Sequence, residues 1–142
     1  MKRISHFAPW INRLVLGVAT LIFTMIGMRY ITDPVGASAN TGVMLTGGLA
    51  VTTTRIGFGA FPLAIAIFSF ACLLSAQRLR AGVSLVATVL TTAIAVRLLS
   101  IATDGAAAQS TRLFIPEGVV LLLAMSGLLL EMARSGKTRE AA

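Results

Sequence analysis

The chain has 142 residues, 56% hydrophobic and only 12% charged, with a formal net charge of +7 and a mean hydropathy of +0.89. This is the balance of a polytopic membrane protein, and it leaves no length for a separate soluble catalytic module. The twelve basic residues are scattered at the ends of apolar runs rather than gathered on one polar face, which argues against a nucleic-acid partner.

The first element follows a short basic leader containing Lys2 and Arg3. A signal peptide opens in the same way, and Ala37-Ser38-Ala39 resembles a small-residue cleavage site. The apolar run from Ile11 to Ile31 is longer than a signal-peptide core, however, so a retained helix is expected over residues 10–31. Trp10 and Tyr30 occupy interfacial positions at its two ends, and Asn12 and Arg13 are expected near the headgroups by snorkelling. Asp33-Pro34 ends the helix, because the residue before a proline disfavours helical geometry.

Residues 33–54 read as the longer first external loop. Asp33 to Asn40 is rich in turn formers. In Val43 to Thr54 the Gly47-Gly48 pair weakens a helix, while Val51 and Thr52 to Thr54 favour an extended path. An interfacial strand, a short surface helix and a lid all fit this stretch. The second span is expected from near Arg55, over residues 56–76. On it Arg55, Gly59, Pro62, Ala66 and Ser69 share a mostly small face suited to close helix packing. Pro62 is expected to kink it. Cys72, the only cysteine, reads as a small packing residue; with His6 the only histidine, no metal set and no cofactor is expected.

Gln77 to Gly82 reads as a short internal turn. The third span, residues 82–103, carries Arg97 inside its outer half and Asp104 just beyond. At ~1.5 Å per residue it is about 33 Å long, enough to cross the hydrocarbon core. Thr88, Thr91 and Thr92 share one face, where hydroxyls return hydrogen bonds to the preceding turn without any functional role. The fourth span is expected over residues 113–132, with Pro116 and Glu117 in its first turn and a Glu131–Arg134 pair at its inner end. The whole is a single integral membrane domain over residues 1–142, an all-α four-helix transmembrane bundle.

Orientation follows from the basic residues. Lys2, Arg3, Arg13, Arg78, Arg80, Arg134, Lys137 and Arg139 fall on one side, and Arg29, Arg55, Arg97 and Arg112 on the other. That bias places both termini in the cytoplasm. Every span then delivers charge to the external side: Arg29 and Asp33, Arg55, Arg97 and Asp104, and Glu117 preceded by Arg112. Charge inside a bilayer demands partners, and Arg97 with Glu117 is the natural pair. Two readings stay open. In one the charges are internal cement of a structural or accessory subunit. In the other Arg29, Arg55, Arg97, Asp104 and Glu117 line an outward-facing cavity for an anionic small molecule or lipid headgroup, which the forked donors of arginine suit. No nucleophile–base pair is visible, and Glu117 as a lone proton donor is the one catalytic reading left, so an enzyme is the weaker expectation. Expected partners are membrane lipids, a membrane-complex subunit, or a second copy meeting Gly59, Ala66 and Ser69.

Several short motifs, in order, resemble a family of small bacterial four-helix integral membrane proteins of unassigned activity, distantly DoxX-like. They are Gly27-Met28-Arg29-Tyr30 with Asp33-Pro34, Arg55-Ile56-Gly57-Phe58-Gly59-Ala60-Phe61, Val96-Arg97-Leu98 with Asp104-Gly105, and Glu117 opening the last helix. The resemblance covers nearly the whole chain. It implies a four-span protein of the bacterial inner membrane with charges at one end, and it supplies no activity or cofactor. The DoxX-like name suggests a respiratory link, yet the histidines and paired cysteines needed to carry electrons are lacking.

Overall fold

The computed structural model describes residues 8–104 and 117–129, and over these the protein is all-α. The helices are α1 (Ala8–Thr32) and α2 (Pro34–Ala39), α3 (Gly48–Leu73), α4 (Leu79–Asp104) and α5, described over Glu117–Leu129. Three are long and apolar enough to cross a membrane: Pro9–Thr32, Gly48–Leu73 and Leu79–Thr103. The outward side chains agree with that solvent. Leu21, Met25, Phe61, Leu99 and Leu122 are all more than three-fifths exposed, a surface matched to lipid and not to water. The protein is thus a multi-span helical membrane protein. The Glu131–Arg134 pair, Pro116 and Arg112 lie outside the described residues.

The helix ends follow from local chemistry. α1 stops at Thr32, and the Asp33 carboxylate then accepts the Gly36 amide at 2.9 Å as the N-cap of α2, with Pro34 in its first turn. Asp33→Ala should cost at most about 1 kcal/mol, read as a small drop in the unfolding midpoint in detergent. A loss of several kcal/mol would mean that Asp33 holds more than this cap.

The second long helix departs from expectation at both ends. It begins at Gly48, not near Arg55, and it ends at Leu73 rather than Ala76. Of the paths left open for Val43 to Thr54, the extended one that Val51 and Thr52 to Thr54 favour is therefore not taken, and Gly48 to Thr54 is helical. Backbone groups in lipid must be satisfied within their own segment, which overrides the strand preference that valine and threonine show in water. Thr52 joins in by donating its hydroxyl to the Gly48 carbonyl at 3.1 Å. The turn into α4 comes earlier than expected, over residues 74–78, and α4 starts at Leu79.

Inside α3 the expected effect of Pro62 takes a specific form. Arg55–Ala60 is a π-helix, closed by the Phe61 amide donating to the Ile56 carbonyl. Proline lacks an amide donor, and its ring crowds the carbonyl four residues back, here Phe58. A wider turn relieves that crowding, and the glycines at 57 and 59 tolerate it.

The chain divides into two compact units, Met1–Leu16 with Cys72–Ala142, and Gly17–Ala71. In the first, Leu16 and Cys72 both press on Gly82, where an added Cβ would lie 2.6 Å from the Cys72 Cβ. Asn12 meets Gly127 on α5. Arg97 reaches Glu117, whereas Ser84 and Thr88 lie beside Met125 and Leu128, so α4 and α5 run antiparallel. In the second unit, the C-terminal half of α1 crosses α3 at a glycine contact. A Cβ on Gly27 would stand 2.9 Å from the Gly59 carbonyl oxygen. Tyr30 packs on Phe58 with ring centroids 5.4 Å apart. Going up α1 the contacts go down α3, so these helices are antiparallel too.

Candidate functional site

The charged residues singled out above do not behave alike. In the first unit Arg97 and Glu117 form a two-bond ion pair. Arg97 Nη2 donates to Glu117 Oε1 at 2.7 Å, and Nε donates to Oε2 at 3.1 Å. The side chains are 22% and 25% exposed. Arg97 sits seven residues, or ~10 Å of helix, before the end of α4 at Asp104, and Glu117 opens the described part of α5. A planar fork facing a planar carboxylate gives direction as well as charge, so the pair holds the two helices in one register. Asp104 closes α4, and its side chain lies outside what the structure describes.

In the second unit Arg29 and Arg55 are exposed, and neither forms an ion pair among the described residues. Asp33 turns its carboxylate to its own cap. The antiparallel register puts Arg55, four residues before Gly59, at the level of Asp33, next to the π-turn. The sequence-derived set is thus split: one closed pair on one unit, two exposed arginines on the other.

Three side chains with buried polar atoms were not legible as such. Asn12 does not snorkel: it is 0% exposed, and neither its Nδ2 nor its Oδ1 finds a partner among the described residues. Its carbonyl oxygen presses on Gly127. The reason is position. Asn12 shares the buried face of α1 with Val15, Leu16 and Ala19, and its side chain is too short to climb to the headgroups. Thr20 Oγ1 and Ser69 Oγ are also buried without a partner among the described residues.

The hydroxyl face of α4 lines a shallow groove of about 390 Å³ with Ser84, Ala87, Thr91, Thr92, Met125 and Leu128. Thr88, in the same face, donates to the Ser84 carbonyl at 2.9 Å, as expected of a membrane threonine. The contact face proposed for a second copy fails, because Ala66 and Ser69 are 1% and 0% exposed within the single chain and Gly59 is buried as well.

What the arrangement offers chemically is charge pairing and hydrogen bonding. No three His, Cys, Asp or Glu side chains gather among the described residues. No protein-family model, curated protein or solved structure matches the chain.

Proposed function

We propose that the chain is a four-span protein of a bacterial inner membrane, as its DoxX-like resemblance implies, with both termini cytoplasmic, and that it serves as a structural or accessory subunit. One observation carries this reading. Arg97, six residues inside the end of its span, already gives two donors to both oxygens of Glu117. A guanidinium fork suited to gripping an anion is here occupied by an internal carboxylate, which is what cement looks like and what an empty receptor does not.

The test is functional. Arg97→Leu combined with Glu117→Leu removes both charges and keeps apolar volume. In a deletion strain this double variant should restore whatever phenotype the wild-type gene restores. A stable double variant that fails to complement would show that the charges serve something other than packing. A second reading, an anion site, is favoured only by the exposed Arg29 and Arg55, which lack ion-pair partners among the described residues.

The four-span orientation carries its own prediction, motivated by the eight-to-four basic bias. In a Cys72→Ala background, a cysteine at exposed Asn40 should react with an impermeant maleimide from the periplasmic side of intact cells. Cysteines at Gln77 and Lys137 should react only after the membrane is opened. Labelling of Gln77 in intact cells would reverse the orientation.

A further inference from the structure

The first unit holds a second group of charges, far from the ion pair. Arg13 lies three residues before Leu16, and Arg78 and Arg80 lie four and two residues before Gly82. Since Leu16 and Gly82 are in direct contact, all three arginines leave the backbone within about one turn, ~5.4 Å, of that contact. All three are exposed. The Arg13 guanidinium lies over the Trp10 ring, 5.8 Å from its centroid, and Trp10 is itself 69% exposed.

This end coincides with the ends of two spans, which begin at Pro9 and Leu79. It therefore sits at headgroup depth whichever leaflet it faces, and an exposed tryptophan belongs there. Nothing acidic answers the three arginines among the described residues of this unit. Glu117 is committed to Arg97, which lies fifteen residues past Gly82, or ~22 Å along the helix. Asp104 is further still. Beyond α5 the sequence sets Glu131 and Glu140 against Arg134, Lys137 and Arg139, so it brings no net negative charge.

We propose that Arg13, Arg78 and Arg80, flanked by Trp10, form a binding site for the phosphodiester of an anionic phospholipid. Two segments distant in sequence, the first two turns of α1 and the start of α4 with the turn before it, meet here. A headgroup phosphate held by both ties the start of the chain to its middle. The guanidinium forks supply several donors to phosphate oxygens, and the indole packs on the glycerol and upper acyl region. The assignment is independent of the cement reading at Arg97 and Glu117.

The test uses the purified full chain in an uncharged detergent doped with phosphatidylglycerol or, at equal mole fraction, phosphatidylcholine. Thermal unfolding midpoints are measured and retained lipid is counted by native mass spectrometry. Phosphatidylglycerol should raise the wild-type midpoint by on the order of 5 °C, and added salt should weaken the effect. Phosphatidylcholine should do little. The triple variant R13Q/R78Q/R80Q should lose the shift and the retained lipid. The variant R29Q/R55Q, which also removes positive charge, should keep both. R13K/R78K/R80K should keep part of the preference, and it serves as the readout if the glutamine variant folds poorly. Equal shifts in wild type and the triple variant would overturn the site, and so would equal shifts from the two lipids. A shift produced as well by inorganic phosphate or glycerol 3-phosphate would overturn the lipid assignment in favour of a free anion.

Discussion

Glu117→Ala should be among the most damaging single changes in the chain, with a loss on the order of 3 kcal/mol. The substitution deletes both acceptors of Arg97 and strands a guanidinium whose side chain is 22% exposed, at a site flanked by lipid. Breaking one half of such a pair typically costs ~3–5 kcal/mol, because the remaining charge keeps its desolvation penalty and loses its compensation. The residual exposure, and the chance for Arg97 to reach upward over the ~10 Å to the helix end, place the expectation near the lower bound. Arg97→Leu should hurt less than Glu117→Ala, since a lone carboxyl can escape its penalty by taking up a proton.

The pairwise term is isolated by a double-mutant cycle. Replacing both residues by leucine should recover stability to within about 1 kcal/mol of wild type, because a well-packed apolar pair is often as stable as a buried ionic one. The measurement is reversible unfolding in mixed micelles for wild type, both single variants and the double variant. Additive single losses in the double variant would show that Arg97 and Glu117 act independently, and that the two hydrogen bonds contribute little.

How much of this was legible beforehand depends on which physical rule governs each element. The Arg97–Glu117 pair was readable because charges inside a span are rare and must be compensated, and one carboxylate opens the following helix. The stop at Asp33-Pro34 was readable from proline geometry alone. The helix over Gly48–Thr54 was not. Glycine, valine and threonine propensities describe a chain in water, whereas lipid removes the solvent that would satisfy an extended backbone. Asn12 misled for a different reason. Whether a polar residue near a helix end faces headgroups or a neighbouring helix depends on which face the partners cover. Only the contact with Gly127 reveals that. Among the five charged residues grouped by membrane side, Arg29 and Arg55 belong to one compact unit and Arg97 and Glu117 to the other, and a shared side alone carries no contact.

Gly27→Ala and Gly17→Ala should have opposite effects, although both sit in α1 and both add one methyl group. At Gly27 the new Cβ would lie 2.9 Å from the Gly59 carbonyl oxygen, 3.0 Å from the Leu63 amide nitrogen and 3.1 Å from the Leu63 Cβ. Two of those neighbours are backbone atoms of α3, so no side-chain rotation relieves the contact and the helices must move apart. Without a hydrophobic drive between helices in lipid, association rests on close packing, and a forced separation removes its main source. Overpacking of this kind costs ~1–3 kcal/mol. At Gly17 nothing lies within 4 Å of the added methyl, and alanine is the better helix former by up to ~1 kcal/mol. That variant should be neutral or slightly stabilised. Gly59→Ala falls between them, because its first neighbour is the Ile31 Cγ1 at 2.8 Å, a side-chain atom that can turn away. Unfolding midpoints should therefore rank Gly17→Ala above Gly59→Ala, and Gly59→Ala above Gly27→Ala. If Gly27→Ala matched Gly17→Ala, α1 and α3 could not approach as closely as this crossing requires, and the Tyr30–Phe58 contact beside it would lose its basis.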